Sequence, residues 1–144
     1  MHSVAVIVGS LRRESINLRF AKALAKLAEL TLAFRLVELG DVPLYNEDLW
    51  AHPPEGVTRL KRELEAADAV LFVTPEYNRG VPALVKNVID WGSRPYGKNS
   101  WASKPGAIVG TSPGLIADDF TISDDETRDF LGGFITKLAS HIKA

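Results

Sequence analysis

The sequence of 144 residues contains no cysteine. The absence of thiols excludes disulfides, thiolate nucleophiles, cysteine-based zinc sites and iron–sulfur clusters, and it is compatible with a reducing cytoplasm. Histidine is also scarce: only His2, His52 and His141 occur, far apart and without a carboxylate at ligand spacing. We therefore expect no metal site in this chain.

A charge excess of one sign and long apolar runs are missing too. Seventeen basic and 18 acidic residues give a net charge of −1, which argues against the phosphate-neutralising surface of a nucleic-acid binder. No apolar stretch approaches the length that spans a membrane, and no basic segment of a secretory signal opens the chain. We expect a cytoplasmic protein with no nucleic-acid partner and no membrane partner.

The length and the hydrophobic content of 46% suit a single domain over residues 1–144. Four short apolar runs alternate in it with four amphipathic segments. The predicted strands are 4–8, 31–39, 69–74 and 107–109, and the predicted helices are 17–30, 55–67, one opened by Pro82, and a last one with Ser123 and Glu126 as its capping box. This alternation predicts the α/β class with a doubly wound parallel sheet, which binds ligands beyond the carboxyl ends of its strands.

The loop after the first predicted strand carries hydroxyl, amide and guanidinium groups. Residues 9–17 read GSLRRESIN and end at a helix N-terminus, where free N–H groups favour an anion. Ser10, Arg12, Ser15 and Asn17 could supply the donors and the positive charge that a phosphate monoester needs. The alternative is that Ser15 or Asn17 caps the helix while the arginines are solvated. Neither GxGxxG nor GxxxxGK[S/T] occurs in this loop, which disfavours dinucleotide-binding and P-loop proteins.

A second long loop follows the third predicted strand. Residues 74–82 read TPEYNRGVP and lead into ALVKNVIDW. Proline and tyrosine offer an apolar surface, and the backbone offers donors and acceptors, as a planar heteroaromatic ring requires. Ordinary turn chemistry is the alternative for Tyr77 and Asn78. Helix packing and capping account for the polar and aromatic residues that follow, Lys86, Asn87, Asp90 and Trp91.

The two loops together resemble the NADPH-dependent FMN reductase family, whose flavodoxin-like members include quinone and chromate reductases. The motifs are GSLRxxSxN after the first strand and PEYNxGxPxxxKNxIDW after the third, and PLYNEDL at 43–49 resembles the family's second loop. The resemblance implies bound FMN. The cofactor-binding residues that it implies are Ser10, Arg12, Ser15, Ile16 and Asn17 in the first loop, Pro75, Glu76, Tyr77 and Asn78 around the isoalloxazine ring, and Ser112 in the loop after the fourth strand.

The family's reaction passes a hydride from NADPH or NADH through FMN to a quinone or another small oxidised acceptor, and no side chain is needed as a catalytic group. The resemblance also implies a homodimer or homotetramer. The alternative from another class is a flavodoxin-like electron carrier or flavin-binding module, which would bind FMN without turning over a nicotinamide. A receiver-type signalling domain is disfavoured, since Gly9-Ser10 and Thr74-Pro75 stand where it needs acidic residues.

Family members usually continue after the fourth strand with another helix and a fifth strand. Here residues 115–122 lead directly to the last helix, which leaves no room for a unit of about 30 residues. We therefore expect four strands where the family has five. The fourth strand would then have an open edge, and apolar faces beside it would lose their cover.

Overall fold

The computed structural model describes residues 1–111 and 116–143. The strands are β1 (His2–Val8), β2 (Leu32–Leu36), β3 (Ala69–Val73) and β4 (Gly106–Val109), and the helices are α1 (Ile16–Ala28), α2 (Glu55–Ala66), α3 (Ala83–Ser93) and α4 (Asp125–Lys143). A short 3-10 helix covers Glu47–Ala51 in the loop after β2. The alternation of strands and helices predicted from the sequence is confirmed.

The four strands form one parallel sheet in the order β2-β1-β3-β4. Val6 of β1 pairs with Leu36 on one side and with Leu71 on the other. A strand that is paired along both edges and covered on both faces needs no polar residues, which explains the continuous apolar run in β1. The doubly wound α/β fold is confirmed, and the strand order is the flavodoxin-like order without its fifth strand.

Helices cover both faces of the sheet. On one face α1 and α4 pack against alternate residues of β1 and β3, and Phe20 and Leu24 of α1 are almost fully buried there. On the other face α2 and α3 pack against the remaining residues of these strands, with Leu60 and Trp91 at 0% exposure. Each fully buried large apolar side chain contributes about 1.5–3 kcal/mol. Both faces of the central strands are therefore held in place, and so are the loops at their carboxyl ends.

Three local details differ from the sequence-based expectation. β2 ends at Leu36, which is 44% exposed, although the sequence pattern had continued the strand to Leu39. The last helix is capped by Asp124, whose Oδ1 accepts the N–H of Thr127 at 2.8 Å, so the predicted capping box at Ser123 is wrong. Pro82 is the N-cap of α3 and precedes the first helical residue.

The outer edge of β4 is open, as expected from the missing unit. β4 pairs with β3 along one edge, and no other strand of the described residues pairs with it. Ile108, in the middle of β4, is 69% exposed. In the described ranges, no helix combines the length and the apolar character needed to cross a membrane.

Candidate cofactor site

The loop between β1 and α1 lies at the carboxyl edge of the sheet. A Cβ on Gly9 would overlap the hydroxyl and the Cβ of Thr74, so any other residue at position 9 would displace the Thr74 side chain at the end of β3. The Ser15 Oγ accepts the N–H of Leu18 at 3.2 Å, so Ser15 caps α1 as the alternative had held. Its hydroxyl still has its own proton to donate. The cap and a ligand contact are therefore compatible.

Asn17 is the unusual residue of this loop. Its side chain is 3% exposed, yet its Oδ1 has no hydrogen-bond partner in the described part of the chain. An unsatisfied buried acceptor costs about 1–3 kcal/mol. The N–H groups of Ile16 and Asn17 also lack an acceptor inside the helix, as always in a first turn. A ligand with a phosphate and hydroxyl groups would satisfy both kinds of atom.

The chemistry of FMN fits these residues. The phosphate suits the α1 N-terminus, where N–H groups and the helix dipole favour a dianion. The guanidinium of Arg12 is exposed and forms no ion pair with a carboxylate of the described residues. The ribityl hydroxyls of FMN would supply the donor that the Asn17 Oδ1 lacks. This fit rests on a buried acceptor and an unpaired cation within one loop.

The loop after β3 contains a tight two-residue turn. Tyr77 and Gly80 exchange two backbone hydrogen bonds of 3.0 Å each, and the residues between them, Asn78 and Arg79, have φ angles of +51° and +60°. Two positive φ angles define the type I′ turn, which asparagine adopts more easily than arginine. The turn-chemistry alternative for Tyr77 and Asn78 is thus correct for the backbone. The Tyr77 side chain is 54% exposed and remains available to a ligand.

A cavity of about 430 Å³ lies between this loop and the end of β4. Its volume lies in the range of small-molecule pockets. Of the four residues predicted to surround the isoalloxazine ring, Pro75 and Glu76 line it, whereas Tyr77 and Asn78 do not. Its other lining residues include Arg79, Val81 and Ile108, which the motif had not singled out. No sequence signal marks Ile108, because an isoleucine inside a strand is normally covered and its 69% exposure is visible only in the structure.

Two buried residues of α3 hold the loop after β2. The Asn87 Nδ2 and the Trp91 Nε1 both donate to the carbonyl oxygen of Pro43, at 2.8 and 2.7 Å, and the Asn87 Oδ1 accepts the N–H of Tyr45 at 2.7 Å. Leu44, between these anchored residues, is 78% exposed. The sequence had assigned Asn87 and Trp91 to helix packing and capping. Packing is correct for Trp91. In addition, the polar atoms of Asn87 and Trp91 form hydrogen bonds to a loop more than 40 residues away in the sequence.

An ion pair fixes the start of the same loop. Arg59 of α2 donates to both carboxylate oxygens of Asp41, at 2.6 and 2.7 Å, and to the carbonyl oxygen of Glu38 at 2.7 Å. The hydrogen bonds from Arg59 lower the pKa of Asp41 below its usual value of 3.8. The described residues contain no cluster of histidine and carboxylate side chains that could hold a metal ion. The last predicted site residue, Ser112, lies outside the described residues.

Known proteins resemble this chain over most of its length. The model of a family described as NADPH-dependent FMN reductase matches residues 2–119. The chain is 44% identical to a quinone reductase of Pseudomonas putida, with 99% of this chain and 96% of the relative covered. It is 50% identical to a 2-hydroxy-1,4-benzoquinone reductase of a Burkholderia species, with 78% and 62% covered.

The solved structure of FerB, a flavoenzyme NAD(P)H:(acceptor) oxidoreductase from Paracoccus denitrificans, matches with a TM-score of 0.94 at 42% identity, covering 99% of this chain and 98% of that one. The alignment with the P. putida protein spans 178 positions, so at least 34 of them have no counterpart in the 144 residues of this chain. That number agrees with the absence of one helix and one strand. The resemblance of the two loops is thereby confirmed, and the chain belongs to the NADPH-dependent FMN reductase family.

Proposed function

We propose that this chain is an NAD(P)H-dependent FMN reductase that reduces quinones, and that one FMN-binding domain spans residues 1–144. When bound, FMN would supply the two-electron redox chemistry between a reduced nicotinamide and a quinone. The observation that carries the proposal is the buried Oδ1 of Asn17 at the N-terminus of α1, which has no hydrogen-bond partner within residues 1–111 and 116–143. The names of the relatives support the quinone as acceptor.

The chain's own residues bind and orient the cofactor. In this proposal Ser10, Arg12 and Ser15 hold the phosphate together with the N–H groups of Ile16 and Asn17. Pro75, Glu76, Tyr77 and Asn78 contact the ring, and Ser112 approaches it from the loop after β4. Neither loop offers a thiol or a histidine as a nucleophile or general acid. The protein therefore contributes position and electrostatics, as is usual where a cofactor performs the bond chemistry.

A second copy of the chain is part of the proposal. The open edge of β4 and the exposed Ile108 leave the cavity with one wall open to solvent. A homodimer or homotetramer would cover apolar surface of this kind. The lack of cysteine supports a cytoplasmic location, because reduced thiols and disulfide-free proteins are typical there.

An absorption spectrum tests the function directly. The purified protein is loaded with FMN, passed over a desalting column, and treated with NADPH without oxygen. We expect flavin bands that co-elute with the protein, bleach with NADPH and return when a benzoquinone is added. Retention of FMN without bleaching would support the electron-carrier alternative and overturn the enzyme. The variant Asn17→Ala should retain less FMN, whereas Asn99→Ala, in the loop after α3, is the control that should retain as much as the unmodified chain.

A further inference from the structure

The outer edge of β4 lacks the features that normally protect an edge strand. Natural sheets protect their edges with charged side chains, prolines or bulges, because a free edge can pair with another chain. β4 reads GAIV and is followed by Gly110, so positions 106–110 carry no charged side chain. β2, at the opposite edge of the sheet, carries the exposed Arg35. The β4 edge therefore has no charge of its own that would disfavour a further strand.

The backbone groups at this edge belong to alternate residues. The carbonyl oxygen of Pro105 accepts the N–H of Val70 at 3.0 Å, so the polar groups of position 105 point to β3. Because the backbone groups of successive strand residues point to opposite edges, those of Gly106 and Ile108 point away from β3. In the described part of the chain no strand and no loop forms a hydrogen bond with them there. Pro105 does not interrupt this row, since the N–H that proline lacks would face β3.

The residues of β4 are complementary to a second copy of themselves. In an antiparallel pair with a two-fold axis at Ile108, Gly106 stands opposite Gly110 of the partner subunit. The outward backbone groups of Gly106, Ile108 and Gly110 then all form hydrogen bonds across the axis. Ala107 faces Val109 of the partner subunit, and the two isoleucines face each other with Cα atoms about 5.5 Å apart. Every opposed pair is small or apolar, so the strand fits its own copy without a clash of charge.

Symmetry favours β4 of the second copy over its β2 as the pairing strand. Pairing of β4 with β2 of another copy would join two different surfaces, leave one free edge of each kind, and add copies without limit. Pairing of β4 with β4 uses the same surface on both chains and closes at two copies. The uncharged edge of β4 also avoids the Arg35 side chain that β2 would bring.

The cavity of about 430 Å³ after β3 is incomplete without this second copy. Val81 and Ile108 belong to its lining, and they are 52% and 69% exposed. Ile108 projects from the face that α2 and α3 cover, because its neighbour in β3, Phe72, packs there. A two-fold axis perpendicular to the sheet keeps both copies of Ile108 on that face. The partner subunit's Ile108 thus adds an apolar wall on the side of the cavity that is open.

We propose that two copies of this chain pair through their β4 strands into one continuous sheet, with Ile108 on the two-fold axis and the partner's Ile108 beside the cavity after β3. The inference rests on the proposed function, in which a second copy covers this edge, and it adds the residues, the direction and the register of the contact. Two sheets of four strands then become one sheet of eight. The contact replaces the neighbour that a fifth strand would supply.

A single introduced cysteine tests the contact, because the chain contains no other thiol. Ile108→Cys is treated with diamide, with and without FMN, and separated on a non-reducing gel. Disulfides form where two Cα atoms lie about 4.4–6.8 Å apart, so we expect most of the protein to become a covalent dimer. Leu30→Cys, 90% exposed in the turn after α1, is the matched control and should remain a single chain.

Light scattering measures the same contact without a covalent bond. The unmodified protein should have the mass of at least two copies. Ile108→Lys places like charges on the axis and should halve that mass and raise the dissociation constant at least about tenfold, while Leu30→Lys should change neither. Circular dichroism checks that both lysine variants are folded.

Three results would overturn the pairing: a monomeric unmodified protein, equal crosslinking of the two cysteine variants, or growth into polymers longer than four copies. A monomer that retains FMN and reduces a benzoquinone with NADPH would overturn the pairing and leave the proposed function standing. Efficient crosslinking of Ile108→Cys in a protein that does not bind FMN would do the reverse.

Discussion

The shared carbonyl of Pro43 makes a quantitative prediction possible. In Asn87→Ala, this oxygen keeps its bond from the Trp91 Nε1, but the N–H of Tyr45 loses the acceptor that it had at 2.7 Å. The variant thus loses two part-buried hydrogen bonds, each worth about 0.5–1.5 kcal/mol. We expect the free energy of unfolding to fall by about 2 kcal/mol. At a urea m value of about 2 kcal/mol per molar, the midpoint would fall by about 1 M.

A double-mutant cycle isolates the shared acceptor. Trp91→Phe alone leaves the Pro43 oxygen bonded to the Asn87 Nδ2, and Asn87→Ala alone leaves it bonded to Trp91. Only the double variant removes both donors to the Pro43 oxygen. The double variant should therefore lose about 1 kcal/mol more than the sum of the single variants. The loss of indole volume occurs in both backgrounds and largely cancels in the cycle.

Urea unfolding of the four proteins by circular dichroism, at constant m value, measures this coupling. Lys86→Ala is the control, because Lys86 lies on the same helix and forms an exposed ion pair with Asp90. It should cost no more than about 0.5 kcal/mol and should add to Trp91→Phe without coupling. Additivity of Asn87→Ala and Trp91→Phe within about 0.4 kcal/mol would refute the reasoning.

Three further variants test other parts of the molecule. Arg12→Ala should weaken the binding free energy of FMN by about 1.5–3 kcal/mol, since it removes the charged donor to the phosphate. The affinity for riboflavin, which has no phosphate, should stay unchanged in a fluorescence titration. An equal loss for riboflavin would contradict a phosphate contact. Gly133→Ala should raise the free energy of unfolding by about 0.5–1 kcal/mol, because the new methyl group would lie in open space on α4. A lower free energy of unfolding in a urea titration would show an unfavourable contact there. Arg59 lowers the pKa of Asp41 in the folded chain. The ion pair therefore stabilises the fold fully at pH values above 3.8, and this stabilisation is lost as the pH falls through the lowered pKa of the folded state. Asp41→Asn should reduce the melting temperature at pH 7 and much less at pH 2, and an equal reduction at both would contradict the ion pair.

The central part of the fold could be predicted because its sequence signal is local. Val4 to Val8 are apolar without alternation since β1 is buried on both faces, and β3 behaves in the same way. The end of β2 could not be predicted, because an alternating pattern does not reveal where the chain leaves its neighbour: β1 continues to Val8, two residues beyond the partner of Leu36. The N-cap of α4 was displaced by one residue, since Ser123 and Asp124 are both good capping residues and only packing selects between them.

The place of Ser15 and Asn17 in the fold was predictable from the sequence, but their contacts were not. Ser15 and Asn17 were expected at the N-terminus of α1, and the structure buries both. Whether a serine caps a helix or faces a ligand depends on a rotamer that spacing does not specify. The tether from Asn87 to Pro43 and Tyr45 joins segments 42 to 44 residues apart, and nothing in the local helical pattern encodes it. Such long-range contacts require the tertiary structure.

The missing fifth strand affects the two loops unequally. The β1–α1 loop, which we propose holds the FMN phosphate, follows a strand that is paired on both edges, and it leads into α1, whose inner face is buried against the sheet and α4. None of these supports comes from the open edge of β4. The cavity after β3, by contrast, takes Ile108 as part of its wall, and that residue is exposed on the open edge. Shortening the chain should therefore spare affinity for the FMN phosphate and change mainly the environment of the ring and the access of the acceptor, because strand β4 alone supplies the wall that has lost its neighbour.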